Sequence, residues 1–168
     1  MVNIIIGSTP KPLASEELKK YFQMDSDLEG YLYIGYPIIG TVEGAYPIDA
    51  LWISKEKGLV IFNLVENKNI EGYEEIQDDC ANKVESKLKG YKQLVKKRQL
   101  CVDINVITFA PFIGTLKEYN KDYPLCNANT LAKCISKLEW KEQEHYNDLV
   151  SVLQEFQLLE KVRREEKF

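Results

Sequence analysis

The spacing of apolar positions changes several times along the chain, and each change marks an element. Leu18 and Phe22 stand four apart behind Ser15-Glu16-Glu17. A capping hydroxyl followed by two carboxylates suits the positive end of a helix dipole, so this stretch predicts a short helix from about Ser15 to Phe22. Gly30 to Ile39 is rich in Tyr and Ile and carries Pro37, the composition of a strand that ends or bends at the proline. Gly40 to Pro47 reads as a turn-rich connection. Ile48 to Ile53 is apolar except for Asp49, Lys55-Glu56-Lys57-Gly58 is a turn signal, and Leu59 to Val65 is apolar except for Asn63. That pattern predicts a tight hairpin of two buried strands, each with one polar residue.

Over Tyr73 to Arg98 the period becomes helical. Ala81, Val84, Leu88, Tyr91 and Val95 fall three and four apart and form one apolar stripe, which predicts a single long helix. The run from Val102 to Ile107 restores a strand, closed by Ala110-Pro111. Thr130 to Leu138 and Glu142 to about Arg164 then read as two helices, the second kept amphipathic by Tyr146, Leu149, Leu153, Phe156 and Leu159. The charged stretch 160–168 has neither cap nor stop signal and reads as the start of a linker. The fold class expected is α/β: a restriction-endonuclease-like order α-β-β-β-α-β would give a mixed sheet flanked by helices. Residues 1–125 are expected to form the core, and residues 126–168 a C-terminal helical extension leading to a linker.

Composition narrows the chemistry. The 168 residues, 45% hydrophobic and 29% charged, fit one globular domain able to bury a core. With 22 Lys and Arg against 26 Asp and Glu, the net charge is −4 and the pI about 5.2, so any nucleic-acid contact must come from a local patch. Four cysteines (Cys80, Cys101, Cys126 and Cys134) match no zinc-knuckle spacing, and no signal-peptide pattern opens the chain; a reducing, cytoplasmic setting with free thiols is expected. The longest apolar run, Tyr31 to Ile39, falls short of the roughly 20 residues that span a membrane. The single histidine, His145, makes histidine-based metal sites and Ser-His relays hard to assemble; its place near the polar side of the last helix predicts solvation. Trp52 and Trp140 are expected in the core, and Tyr31, Tyr33 and Tyr36 suit an amphipathic edge strand or a groove.

One polar residue needs an explanation. A carboxylate in a sheet core costs several kcal/mol unless it is paired or ligates an ion, which singles out Asp49. The stretches Ala14-Ser15-Glu16-Glu17, Tyr46-Pro47-Ile48-Asp49-Ala50-Leu51-Trp52-Ile53 and Gly58-Leu59-Val60-Ile61-Phe62-Asn63-Leu64-Val65, in this order of elements, resemble the nuclease-related domain (NERD). This is a branch of the restriction-endonuclease-like PD-(D/E)xK fold, and the match covers about Leu13 to Pro111. The resemblance implies a Glu from the first helix, here Glu17, an Asp on the strand before the turn, here Asp49, and Glu-x-Lys on the next strand. It also implies Mg²⁺ held by the carboxylates, with the Lys steadying the attacking water.

The sequence departs from that pattern at its centre. Counted from Gly58, the Glu position falls on Asn63 and the Lys position on Val65, a neutral amide and a side chain that cannot stabilise a phosphorane. The aligned site is therefore read as degenerate. A literal Glu66-Asn67-Lys68 follows, and an active alternative would use Asp49, Glu66 and Lys68, the two carboxylates holding Mg²⁺, with Glu16 or Glu17 assisting. Strand alternation points 66 and 68 away from the face of 63 and 65 unless a bulge intervenes.

Lys83, Lys87, Lys89, Lys92, Lys96, Lys97 and Arg98 make the stretch from Lys83 the one basic region of an acidic chain. Phosphate contact is its functional reading and a solvated surface, with Glu85 and Lys89 as a local pair, its bland one. The departure from Glu-x-Lys and the charged C-terminus are similar to NERD-like segments at the front of bacterial DNA helicases of the UvrD/Rep, superfamily 1 type. No P-loop motif is present, so that resemblance implies an ATPase motor elsewhere in the same polypeptide. The leading expectation is a catalytically degenerate nuclease-like domain that engages DNA or positions partners. The alternatives are an active Mg²⁺-dependent nuclease and a protein-interaction module without DNA.

Overall fold

The computed structural model describes residues 1–36, 38–41, 44–116 and 119–166, with side chains for all of these except 38–41, 44–45 and 157–166. In chain order the elements are β1 (Asn3–Ile6), α1 (Pro12–Met24), β2 (Tyr31–Ile34), β3 (Ile38–Thr41), β4 (Gly44–Tyr46), β5 (Ala50–Ser54), β6 (Gly58–Leu64) and α2 (Tyr73–Leu88). They continue with β7 (Val95–Lys96), β8 (Gln99–Leu100), β9 (Ile104–Phe109), β10 (Leu125–Cys126), α3 (Leu131–Ser136) and α4 (Tyr146–Glu166).

A six-stranded mixed sheet runs β1-β2-β5-β6-β9-β10. Its centre is antiparallel from β2 through β5 to β6, whereas β9 lies parallel to β6 and β10 parallel to β9. β1 adds a parallel edge beside β2. The expected order α-β-β-β-α-β is carried by α1, β2, β5, β6, α2 and β9. The result is a mixed α/β domain with helices on both faces of its sheet and a helical C-terminal extension.

Strand alternation divides the core in two. Leu32, Ala50, Trp52, Val60, Phe62 and Ile107 face α1 and α3, meeting Leu18 and Phe22 from the first helix and Leu131 and Ile135 from the second. Tyr33, Leu51, Ile53, Leu59, Ile61 and Val106 face the other way, onto Val84 and Leu88 of α2 and Leu149, Val152 and Phe156 of α4. Both faces of β5 and β6 are covered, which is why their sequences are apolar nearly throughout. The turn between them needs the positive φ of Gly58 (+79°), whose missing side chain also leaves room for the Trp140 ring.

The hairpin, the Val102–Ile107 strand and the two C-terminal helices stand close to where the pattern puts them. Several boundaries differ. α1 begins at Pro12, whose fixed φ suits the first helical position, so Ser15 lies inside the helix and is buried rather than capping it. β1 arises from Ile4-Ile5-Ile6 before Gly7, and β10 is a two-residue strand beside β9. The strand expected over Gly30 to Ile39 ends at Ile34, and its bend at Pro37 lies outside the described residues. The connection expected from Gly40 includes a second hairpin, β3 with β4.

The long basic helix is corrected. α2 stops at Leu88: the Lys89 N–H still reaches the Glu85 carbonyl, but Gly90 and Tyr91 bond only three residues back, and the chain turns away. Tyr91 then packs on Phe156, ring centroids 5.7 Å apart, and Val95 enters the hairpin β7–β8. The apolar stripe is real as far as Leu88, and tertiary contacts take over its later members. No helix among the described residues is long and apolar enough to cross a membrane.

Candidate functional site

Asp49 immediately precedes β5 and stands on its α2 side. There its charge acts on the Cys80 thiol, which burial first and then Asp49 and Asp79 push up to about 12. The carboxylate is partnered. Asp49 Oδ2 accepts the Leu64 N–H at 2.8 Å and the Lys11 ammonium at 2.7 Å, and the same Lys11 Nζ donates to the Leu64 carbonyl at 2.7 Å. Lys11, 38 positions earlier at the N-cap of α1, therefore fills the space between two hard oxygens at the end of β6. With the two side chains only 18% and 31% exposed, this pair is shielded from much of the screening a surface ion pair meets.

Glu66 lies beyond the last residue of β6, so strand alternation does not govern where it points. Its two oxygens accept the Leu13 N–H at 2.7 Å and the Ala14 N–H at 2.8 Å. Pro12 has no N–H, and Ser15 N–H bonds the Lys11 carbonyl at 3.1 Å, so Glu66 completes the capping of α1 from across the fold. Neither Asp49 nor Glu66 is a free ligand, although both are gathered at one helix start.

The other positions drawn from the resemblance are dispersed. Asn63 donates its amide to Thr108 Oγ1 at 3.3 Å, and Gln77 of α2 donates to the same oxygen at 2.8 Å and to the Pro124 carbonyl at 2.9 Å. This amide and hydroxyl network occupies the aligned Glu position. Val65 is buried and bonds Phe109 through its backbone. Glu17 pairs with Lys20 at 3.6 Å along α1, and Lys68 is exposed and lines a cavity with Tyr73, Ile113 and Asn120.

These residues do not fit a resident Mg²⁺. An octahedral cation demands several oxygens aimed at one point, but one carboxylate and the Leu64 carbonyl are held by an ammonium, the second carboxylate by helix N–H groups, and the third position is an amide. Lys11 is the residue that the sequence pattern misses: nothing in its local spacing distinguishes it, and only the requirement that Asp49 be paired points to such a cation.

The basic residues do not share one helix but run from α2 into the segment that follows it. Lys83 and Lys87 are half-buried on α2, the first 3.6 Å from Asp79 with its ammonium over the Tyr46 ring, the second over the Phe156 ring. Lys89 pairs with Glu85 at 2.9 Å, the expected local pair. Lys92, Lys96, Lys97 and Arg98 are exposed on the segment that follows. Lys97 and Arg98 form the β7–β8 turn with φ of +52° and +67°, a conformation normally given to Asn or Gly.

All four cysteines are buried thiols. Trp52 and Trp140 are core residues, with Trp140 Nε1 donating to the Cys101 carbonyl at 3.0 Å. His145 differs from expectation: its Nδ1 is buried without a hydrogen-bond partner among the described residues, 3.8 Å from Asp148. Compared with protein-family profiles, curated proteins and solved structures, the chain matches none.

Proposed function

We propose that this chain is a catalytically silent, nuclease-like domain that engages DNA through the basic turn following α2. The observation that carries the reading is Lys11, whose ammonium lies 2.7 Å from both the Asp49 carboxylate and the Leu64 carbonyl. A fixed internal cation there gives the fold the charge balance that a metal would supply, without a Lewis acid able to activate water or exchange ligands with a phosphate. Glu66, which a displaced active site would need, caps α1 with both oxygens. Lys92, Lys96 and Lys97 offer exposed charge on and beside the β7–β8 hairpin, with Lys83 and Lys87 preceding them in the chain on α2. Two consecutive basic residues held at positive φ, where Asn-Gly would be cheaper, favour a use for that turn beyond folding. In the helicase setting that the resemblance implies, such a domain would hold DNA or a partner while a motor in the same polypeptide does the work.

Fluorescence anisotropy with labelled DNA tests this. The expected outcome is salt-dependent binding. When Lys92, Lys96 and Lys97 become Glu, the slope of log K against log salt should flatten by about 0.9 for every duplex phosphate they had neutralised. Binding should survive Asp49→Asn. Absence of binding at low salt, or binding indifferent to the triple variant, overturns the proposal.

A further inference from the structure

Three ligand-type side chains meet at the opposite end of β6, near Gly58. Cys101 Sγ, a Glu142 carboxylate oxygen and an imidazole nitrogen of His145 all lie within 4.8 Å of one another. The backbone that presents them is pinned at several points. The Leu59 N–H bonds the Asp103 carbonyl, Trp140 N–H bonds the Glu56 carbonyl, and Trp140 Nε1–H bonds the Cys101 carbonyl. Cys101 is buried, Glu142 is exposed and His145 lies between, so the cluster is walled on the thiol side and open on the carboxylate side.

Two further observations point to a cation. The Nδ1 of His145 is buried with no hydrogen-bond partner among the described residues, an unmet polar atom that ordinarily costs stability. Negative charge is also concentrated around the cluster: Glu142 and Glu144 both act on the Cys101 thiol, Glu142 acts on Asp103, and Asp148 stands 3.8 Å from the imidazole. Lys141 and Lys96 supply the opposing positive charge.

We propose that Cys101, Glu142 and His145 form a site for a zinc-class divalent cation, with water as the fourth ligand on the open side. The donor set selects the ion. A thiolate with an imidazole and a carboxylate suits borderline-soft Zn²⁺ and disfavours Mg²⁺ or Ca²⁺, which take oxygen shells. Tetrahedral bonds of about 2.0–2.3 Å place donors about 3.3–3.8 Å apart, so side-chain movements of roughly 1 Å close the observed cluster around an ion. The bond forms as the thiol gives its proton to solvent and the thiolate, carboxylate and neutral imidazole each donate an electron pair; no redox change is involved. Bound there, the ion ties the Cys101–Asp103 loop to the start of α4. The cysteine spacing alone hides this site, because only one of its ligands is a cysteine.

The test is a zinc titration of the reduced, chelator-treated full chain against a colorimetric zinc indicator, with Co²⁺ as an optical probe. One equivalent should bind, and cobalt should give a near-ultraviolet thiolate charge-transfer band that Cys101→Ser removes and Cys80→Ser leaves in place. Glu142→Gln and His145→Ala should each weaken zinc binding by at least about tenfold. Glu142 is exposed, so its variant reads the site even if Cys101→Ser fails to fold. No zinc binding at micromolar concentration, a cobalt complex without the thiolate band, or full affinity in Glu142→Gln and His145→Ala overturns the assignment. Because this cluster and Asp49 lie at opposite ends of β6, either result leaves the nuclease-like reading standing or falling on its own test.

Discussion

Lys11 decides how Asp49 is read. Replacing it with Met leaves the carboxylate, among the described residues, with the Leu64 N–H and removes the donor to the Leu64 carbonyl. The expected cost is about 1–3 kcal/mol, read as a drop in urea midpoint, or roughly 2–4 °C in Tm for each kcal/mol. Asp49→Asn in the Lys11→Met background should recover part of that loss, since it removes the uncompensated charge; a double-mutant cycle with no coupling would refute the pairing. Glu66→Ala should cost about 0.5–2 kcal/mol through the α1 cap, with no change in DNA affinity. Half of this is legible in the sequence. Asp49 stands out because an apolar strand should not carry a bare carboxylate, but its partner lies 38 positions away and local spacing cannot name it. Glu66 is visible as part of a literal Glu-x-Lys, whereas its use as a helix cap follows from β6 ending at Leu64, before the motif begins.

At the scale of elements, the β5–β6 hairpin is legible because turn chemistry and apolar runs agree. Gly58→Ala should destabilise the protein by more than about 1 kcal/mol, since an L-residue at φ +79° is strained and its Cβ would stand 3.2 Å from the Trp140 ring. A variant that melts at the parent's temperature would show that neither the strain nor the Trp140 contact matters. The basic segment mimics a helix in sequence because Tyr91 and Val95 keep the three-and-four spacing past Gly90. Their apolar surface is used against Phe156 and in a short hairpin instead. That turn makes its own prediction: Lys97→Asn with Arg98→Gly should raise stability by up to about 1 kcal/mol by removing the positive-φ penalty, while weakening DNA binding. Gain of stability with unchanged affinity would detach the turn from DNA.

For the whole molecule, the net charge of −4 conceals a division of labour. Acidic groups surround the Cys101 and His145 cluster at one end of β6, an internal ammonium neutralises the carboxylate at the other, and exposed cations collect on and beside the β7–β8 hairpin. The mixed sheet and the two covered faces of its hairpin follow from the pattern; the edge strands β1 and β10, four and two residues long, do not, because so short a run carries little periodicity. Whether the domain holds DNA without cutting it is the central claim. The most direct measurement is a native gel of labelled DNA incubated with the full chain in Mn²⁺ at saturating protein, run beside a deproteinised aliquot. The account predicts a retarded complex whose DNA is recovered intact; cleaved DNA, with cleavage abolished by Asp49→Ala and by Glu66→Ala, would contradict it.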